Sequence, residues 1–516
     1  MMIKKLKTKK IEESGNKAEE KDDKKESEKV EDGKEKLSSS FDDNIYKIKK
    51  SFENCPDIIM RKVSIGQNKT GYFLYVAGMV DTDLVQRDFI APVLNMGYEG
   101  LMKEESLENL PVTDISFPVD INTIIDDVLR GNTVFLGEGI DHAISCNLVL
   151  FAKRSIEEPI VEKNVKGSHE GFVESLLTNM SMLRRLVKNT SLKFKTFKLG
   201  ATTNQTCAIA YIEGIASPEL LSMLSEKIKN LNSDGFIGIG YIEQFITDHP
   251  NSPFPQYLST ERPDKTIAAL LEGKFAIMLD GTPVMSIVPV NFFAFFKAPD
   301  DYTSNWMFGS FIGAIRVFAA IIAVFLPGLY ISVLAFHYYT VPLNLLISLA
   351  ESRSKVPFQP LMEALIMEIT LELLRESTIR LPTYIGTAVG VVGGLIIGQS
   401  AVQAGLVSNL MIIVVAVTAI ASFVIPSYDM GLAIRFIRFI VMLFSAVFGI
   451  IGITTTASLI IANLVILESL GQPYFQPWIP LKLKDLKDAV IRLPINLHRT
   501  RPDIAQPVDK IRGRNK

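Results

Sequence analysis

The sequence predicts a multi-domain protein in which a cytoplasmic α/β domain of two lobes precedes an α-helical multi-pass membrane domain. Three observations carry this. The 516-residue chain is 48% hydrophobic, with a mean hydropathy of +0.24, although 21% of its residues are charged. The charge is segregated: residues 1–40 are more than half Lys, Arg, Asp and Glu, whereas residues 307–467 hold four long apolar stretches. Between these extremes, short β-rich runs alternate with amphipathic helical runs, the pattern of packed α/β layers.

The balance of 54 Lys+Arg against 56 Asp+Glu leaves a net charge of -2. With no basic, aromatic-interleaved patch, no nucleic-acid partner is expected. Cys55, Cys146 and Cys207 stand far apart, which suggests neither a disulfide framework nor a CxxC metal site. The soluble part is therefore placed on the reducing, cytoplasmic side.

Residues 1–40 start with a basic run that no apolar segment follows, so they are read as a disordered charged tail rather than a signal peptide. The first α/β lobe is expected over 41–162 and the second over 163–297, divided at the polar run Lys163–His169. Strands are expected within 71–80, 133–137, 146–153, 206–215 and 274–288, and helices over 81–97, 170–189 and 218–231. Asp81 is positioned as a helix N-cap, and Pro218 suits a first helical turn. Phe236–Gly240 reads as a tight strand rather than a phosphate loop.

Nothing in either lobe points to catalysis. The five histidines are scattered, and no HExxH, GxxxxGK[ST], GxGxxG or GxSxG pattern occurs. No enzyme activity, cofactor or metal is expected, and the lobes read as sensing or assembly modules.

A helical membrane domain is expected over 298–480, with about four to five spans. Its apolar stretches are 308–339, interrupted by Pro327-Gly328, then 383–399, 406–425 and 432–467. The last is long enough for one tilted helix or for a pair broken near Gly449–Gly452. In the second, Gly386, Gly390, Gly394 and Gly398 repeat every four residues, a face along which a partner helix can approach closely. A basic tail over 481–516, with ten Lys/Arg against four Asp/Glu, is expected in the cytoplasm.

Polar groups inside apolar stretches mark candidate functional positions because each is costly in lipid. Arg316 is one, as a paired arginine at a helix seam or as a conduction element. Thr455, within Thr454–Thr456, is another, and Arg435 and Arg438 read as interfacial anchors. The amphipathic segment 360–378 is the most informative. As a helix it puts Glu368, Glu372 and Arg375 on one face, with Met362, Ile366, Ile369, Leu373 and the lone acid Glu363 opposite. It reads as an interfacial helix with a solvated acidic face, or as one segment of a carboxylate ring that selects cations when several copies assemble.

Long blocks of this chain are recognisable. Arg154–Pro159, Gly167–Arg185, Thr260–Asp264, Leu270–Pro289, Asp300–Tyr302, Met362–Pro382 and Val392–Ala416 resemble, in this order, the A subunits of spore germination receptors, the GerA family. The likeness runs from about residue 41 to 485. It departs at Ser168-His169, where the family usually carries Pro-Arg, and at Lys355–Pro360, where family members often have further prolines. The resemblance implies a multi-pass protein of the spore inner membrane with its N-terminal domain in the cytoplasm. It implies a transporter-like B subunit and a lipoprotein C subunit as partners, and a homo-oligomer of A subunits among membrane lipids. It further implies sensing of small germinants such as amino acids or sugars, followed by release of monovalent cations.

The leading expectation is a germinant-gated cation channel subunit. A secondary solute transporter, with Pro327-Gly328 as a helix break and Arg316 as an anion anchor, is the alternative, and a non-conducting signalling scaffold is a third reading.

Overall fold

The computed structural model describes residues 37–513, apart from 39, 67, 108, 109, 113, 150–161, 163, 165, 490 and 491. The charged tail expected over 1–40 thus lies almost wholly outside the described residues, as does Arg154–Pro159. The chain divides into two compact units, residues 1–155 with 177–195, and residues 156–176 with 196–516.

In the first unit, α1 (Phe41–Ser51) starts at Ser40, whose hydroxyl accepts the Asp43 N–H. The strands β1 (Ile58–Ser64), β2 (Thr70–Val76), β3 (Ile115–Ser116), β4 (Thr133–Gly137) and β5 (Ile144–Cys146) form a sheet ordered β1-β2-β4-β5-β3, with antiparallel pairs throughout. Between β3 and β4, α2 (Ile121–Arg130) is capped by Asp120 and stopped by Gly131 at φ 98°, a left-handed position suited to glycine. Its Ile121, Ile124 and Val128 cover Leu74, Val76 and Val134 on one face of the sheet. Phe89 and Val93 cover Phe73 and Phe135 on the other. Burial on both faces explains why β4 reads as an unbroken apolar run. The last helix here, α3 (Leu176–Leu186), carries Arg184, which is fully buried against Asp57. Its Nε and Nη2 donate to the two carboxylate oxygens at 2.8 and 2.9 Å, and its Nη1 donates to the Asn189 and Leu192 carbonyls.

In the second unit the sheet runs β6 (Leu192–Leu199), β7 (Gln205–Ile212), β9 (Phe275–Leu279), β10 (Met285–Val288), β8 (Leu258–Thr260). The helices α4 (Pro218–Lys229) and α5 (Ile239–Ile246) bury Leu220, Leu224 and Ile242 against Ile209 and Ile277, and α6 (Pro263–Leu271) precedes β9. Phe236–Gly240 is not the strand expected. Gly238 is the extended N-cap of α5, because Ile239, Ile242 and Ile246 repeat at helical spacing and take the helix into the core.

Six helices then form a bundle: α7 (Trp306–Phe336), α9 (Pro360–Arg380), α10 (Thr383–Gln403), α11 (Asn409–Phe423), α12 (Tyr428–Phe448) and α13 (Ile450–Ile466); α8 (Leu343–Arg353) joins α7 to α9. Successive bundle helices alternate in direction. Along α7, Ala323 meets Arg438 of α12 and Gly328 meets Ser445, so these two run parallel. Glu363 and Glu368 of α9 reach Tyr330 and Ala323 through Ser408 and Arg438, so α9 runs antiparallel to α7. By length and composition, α7 and α12 are each long and apolar enough to cross a membrane, and α11 and α13 are shorter apolar helices.

Two local features shape the bundle. Pro327 does not break α7, whose 31 residues run through it to Phe336. Proline removes the N–H that would serve the Ala323 carbonyl four residues back. Arg438 Nε donates to that carbonyl at 2.8 Å instead. The apolar stretch 432–467 is a helix pair, turned at Gly449 (φ 61°). At Gly452, an added Cβ would lie 2.1 Å from the Phe444 carbonyl oxygen.

The basic segment after Pro480 folds back on the second unit. Val508 N–H donates to the Ile215 carbonyl, Arg501 Nε to the Leu271 carbonyl, and Arg512 pairs with Glu272 at 3.0 Å.

Candidate functional site

Helix α9 brings its three inner carboxylates to three levels of the bundle. Glu363, at the end nearest the α11 N-terminus, is fully buried, and Ser408 Oγ donates to its Oε2 at 3.3 Å. Ser408 also meets the Tyr330 hydroxyl at 3.0 Å, and Arg353 Nε lies 3.8 Å from Glu363 Oε1. Midway, Glu368 is 1% exposed and pairs with Arg438 Nη1 at 2.5 Å. One turn on, Glu372 accepts from Arg375 at 2.9 Å and from Arg435 at 3.4 Å. Arg375 in turn donates to Ser422 and lies 4.6 Å from the Phe423 ring centroid. Glu368 and Glu372, four residues apart, share one side of α9, and Glu363, five residues before Glu368, turns about 140° away toward α8 and α11, so the three acids form a charge ladder that winds around the helix. Arginines on α8, α9 and α12 answer them.

The ladder runs through an apolar setting. The helices expose Phe311, Phe318, Phe423 and Phe436 while burying Arg316, Glu363, Glu368 and Arg438. On α9 itself, Ile369 and Leu373 are 50% and 65% exposed. A bundle in water has the opposite arrangement. Buried ions persist in such a place only when paired, and here some capacity is left over. Among the described residues, Glu363 Oε1, Glu368 Oε1, Arg438 Nη2 and Arg375 Nε are buried without a hydrogen-bond partner.

The sequence grouped Glu368, Glu372 and Arg375 on one face, and the structure keeps them together, with Glu368 buried in the bundle and Glu372 and Arg375 partly exposed. Glu363, read as lying on the opposite face, turns inward as well, because Ser408 and Arg353 meet it there. Arg435 and Arg438, read as interfacial anchors, lie inside the bundle as partners of the acids. Their i, i+3 spacing opposite the i, i+4 spacing of Glu368 and Glu372 was the available signal.

The other candidates stand apart from the ladder. Arg316 belongs to the base of α7, where Nη1 donates to Asp301 Oδ2 at 2.5 Å and to the Phe296 carbonyl at 3.2 Å. Thr455 is exposed on α13, and its hydroxyl donates to the Ile451 carbonyl one turn back. Of the glycines on α10, Gly386 packs against Thr378 of α9, whereas an added Cβ at Gly390, Gly394 or Gly398 would meet nothing within 4 Å.

At the base of α7 a second charged cluster joins the connector 297–303 to the C-terminal segment. Lys297 Nζ and the Tyr302 hydroxyl both lie 2.8 Å from Asp488 Oδ2. Burial opposes charge on Asp488, but Lys297 and the two hydrogen bonds hold its carboxyl below the ordinary range. Glu272 is likewise held low despite burial, by Lys274, Lys297 and Arg512. Glu243 is pushed up, because burial outweighs the hydroxyls of Ser286 and Ser259.

Residues 46–504 match the Bacillus/Clostridium GerA spore germination protein family. The chain is 36% identical over 489 residues to spore germination protein KA of Bacillus subtilis, covering 92% of this chain and 88% of that one. It is 37% identical over 476 residues to spore germination protein GerQA of Bacillus cereus, covering 92% and 94%. It is 36% identical over 460 residues to the uncharacterized membrane protein YfkQ of Bacillus subtilis, covering 89% and 90%. Among solved structures, the N-terminal domain of the A subunit of the Bacillus megaterium spore germinant receptor GerK3 aligns with 50% of this chain and 98% of its own, at 27% identity and a TM-score of 0.37. With nearly its whole length matched in this way, the chain belongs to the GerA family of spore germination proteins.

Proposed function

We propose that this chain is the A subunit of a nutrient germinant receptor in the spore inner membrane, working with a transporter-like B subunit and a lipoprotein C subunit. In this reading its helical part crosses the membrane several times, and copies of it assemble into a germinant-gated cation channel. The observation that carries the reading is the charge ladder Glu363–Glu368–Glu372 inside an apolar-surfaced bundle, with Glu363 and Glu368 buried and Glu372 partly exposed. Ionisable groups at such positions are characteristic of ion pathways. Germinant binding on a partner would shift the population towards an arrangement in which the carboxylates are less tightly held by Arg435 and Arg438 and face the path. The open face at Gly390, Gly394 and Gly398 is available for packing against another copy.

The transporter reading loses its two supports, since α7 runs unbroken through Pro327 and Arg316 is committed to Asp301. The test is permeation: Glu372→Gln in the reconstituted receptor lowers the potassium-to-chloride permeability ratio and leaves assembly intact. An unchanged ratio in this variant and in Glu363→Gln removes the acidic helix from the pathway.

A further inference from the structure

The segment that follows α13 carries a surface that the ladder and its gating do not use. Trp478, Ile479, Leu481 and Leu483 are 50%, 44%, 62% and 71% exposed. Lys482 and Lys484 are interleaved with them, Lys482 bonded to Asp503 and Lys484 exposed. Large apolar side chains at this exposure, all within six residues, are a cost in water that only a covering phase removes.

The position of this loop in the fold is fixed. Trp478 stacks on Phe293 with ring centroids 6.3 Å apart and an interplanar angle of 29°, and Phe293 packs on Phe475 at 5.7 Å. Phe293 belongs to the short turn Phe292–Phe296, which leads through the connector into Trp306, the first residue of α7. The connector is held by Arg316–Asp301 and Lys297–Asp488. The same end of the bundle holds the start of α12 at Tyr428, since α7 and α12 run parallel, and the end of α13 at Ile466. Trp306, Tyr428 and Trp478, each exposed, therefore mark one end of the two helices long enough to cross a membrane. Exposed tryptophan and tyrosine near one end of a helical bundle, with lysines beside Trp478, is the composition of a membrane–water interface.

We infer that the loop 478–484 docks on an anionic lipid surface, with Trp478, Leu481 and Leu483 entering the headgroup–acyl boundary and Lys484, with Lys482, meeting lipid phosphates. The inference rests on reading α7 and α12 as membrane-crossing. Alternation of lysine with large apolar residues favours lipid over a second copy of the chain, because a protein interface core is depleted of lysine. The loop would then fasten the C-terminal segment, and through Lys297–Asp488 the base of α7, to the bilayer.

The full chain contains only Trp306 and Trp478, so two single-tryptophan variants separate the possibilities. Trp306→Phe, reconstituted in vesicles of phosphatidylcholine with or without phosphatidylglycerol, reports on Trp478. Its emission is expected to shift blue and to be quenched by lipids brominated near the headgroup, more strongly in the anionic vesicles. Lys484→Gln in this background lowers the docked-to-undocked ratio about fivefold in anionic vesicles. Leu481→Ser with Leu483→Ser abolishes the bromolipid quenching. The companion Trp478→Phe variant reports on Trp306 at the base of α7. Quenching of Trp306 but not of Trp478 overturns the docking and leaves the membrane reading standing. Absence of quenching at both overturns the membrane reading and the docking together. A Trp478 shielded from aqueous iodide yet untouched by bromolipid is covered by protein, which also overturns the inference. Equal docking in both vesicle types removes the anionic preference.

Discussion

Arg438 is the residue whose loss the structure predicts to be most damaging within the bundle, and Arg438→Met is the variant that isolates it. Methionine keeps an unbranched apolar stem of helical propensity, so α12 itself is little disturbed. What disappears is the partner of Glu368 at 2.5 Å and the donor to the Ala323 carbonyl that Pro327 leaves open. Stranding a buried charge by removing its partner costs about 3–5 kcal/mol. An orphaned buried carbonyl adds about 1–3 kcal/mol, though the two losses share one side chain and fall short of additive. The expected destabilisation is therefore about 4 kcal/mol or more, at the upper end for a single substitution. Combining it with Glu368→Met removes the stranded carboxylate, so the double variant is expected to be more stable than Arg438→Met alone. Equilibrium unfolding of the purified chain in mixed micelles reads both numbers. An Arg438→Met chain within about 1 kcal/mol of the parent would refute the reasoning. So would a double variant that loses the sum of the two single losses, since either result makes the pair incidental.

Four further outcomes follow from the geometry. Asp57→Ala strands Arg184 in the first unit and is expected to cost about 3–5 kcal/mol, measured by thermal melting of the full chain. Gly452→Ala drives a methyl group into the Phe444 carbonyl and is expected to cost about 1–3 kcal/mol, read as loss of protease resistance at the α12–α13 turn. Gly394→Leu adds volume where nothing lies within 4 Å, so the protomer's melting temperature stays unchanged while assembly into larger species falls, measured by light scattering. For pH, Asp488 and Glu272 have carboxyls held below their unfolded values. Their contribution is complete above the unfolded pKa of about 4 and is lost as pH falls through the lower folded values. Protection against hydrogen exchange in 480–512, taken relative to the intrinsic rate at each pH, is thus expected to fall under acid while that of β9 does not.

Legibility differed by element for physical reasons. Strands buried on both faces, such as β4 and β7, announce themselves as apolar runs, and α4 was visible through Pro218 and its apolar period. The strand β1 is not legible because Arg61 and Lys62, adjacent in its middle, are both exposed and mask the alternation. Helix α5 was misread because its entry, Phe236–Gly240, has two glycines and strand-like isoleucines. The acids of α9 were legible as a set, but their inward orientation was not. Amphipathic patterning assigns charged faces to water, and that rule inverts where the surroundings are apolar. The ladder depends on Arg353, in the neighbouring helix, and on Arg435 and Arg438, whose pairing with acids 63 and 70 residues away is a matter of tertiary register. Likewise, Pro327-Gly328 looked like a break in sequence, yet Arg438 satisfies the carbonyl that the proline frees, and Gly328 admits Ser445 of α12.

The measurement that bears most directly on the central claim is potassium efflux from liposomes holding this chain with the B and C subunits proposed as its partners, before and after addition of nutrient. The account predicts nutrient-dependent efflux far exceeding one ion per conformational cycle, which Glu372→Gln makes less cation-selective. No efflux from an intact, nutrient-occupied complex would contradict it.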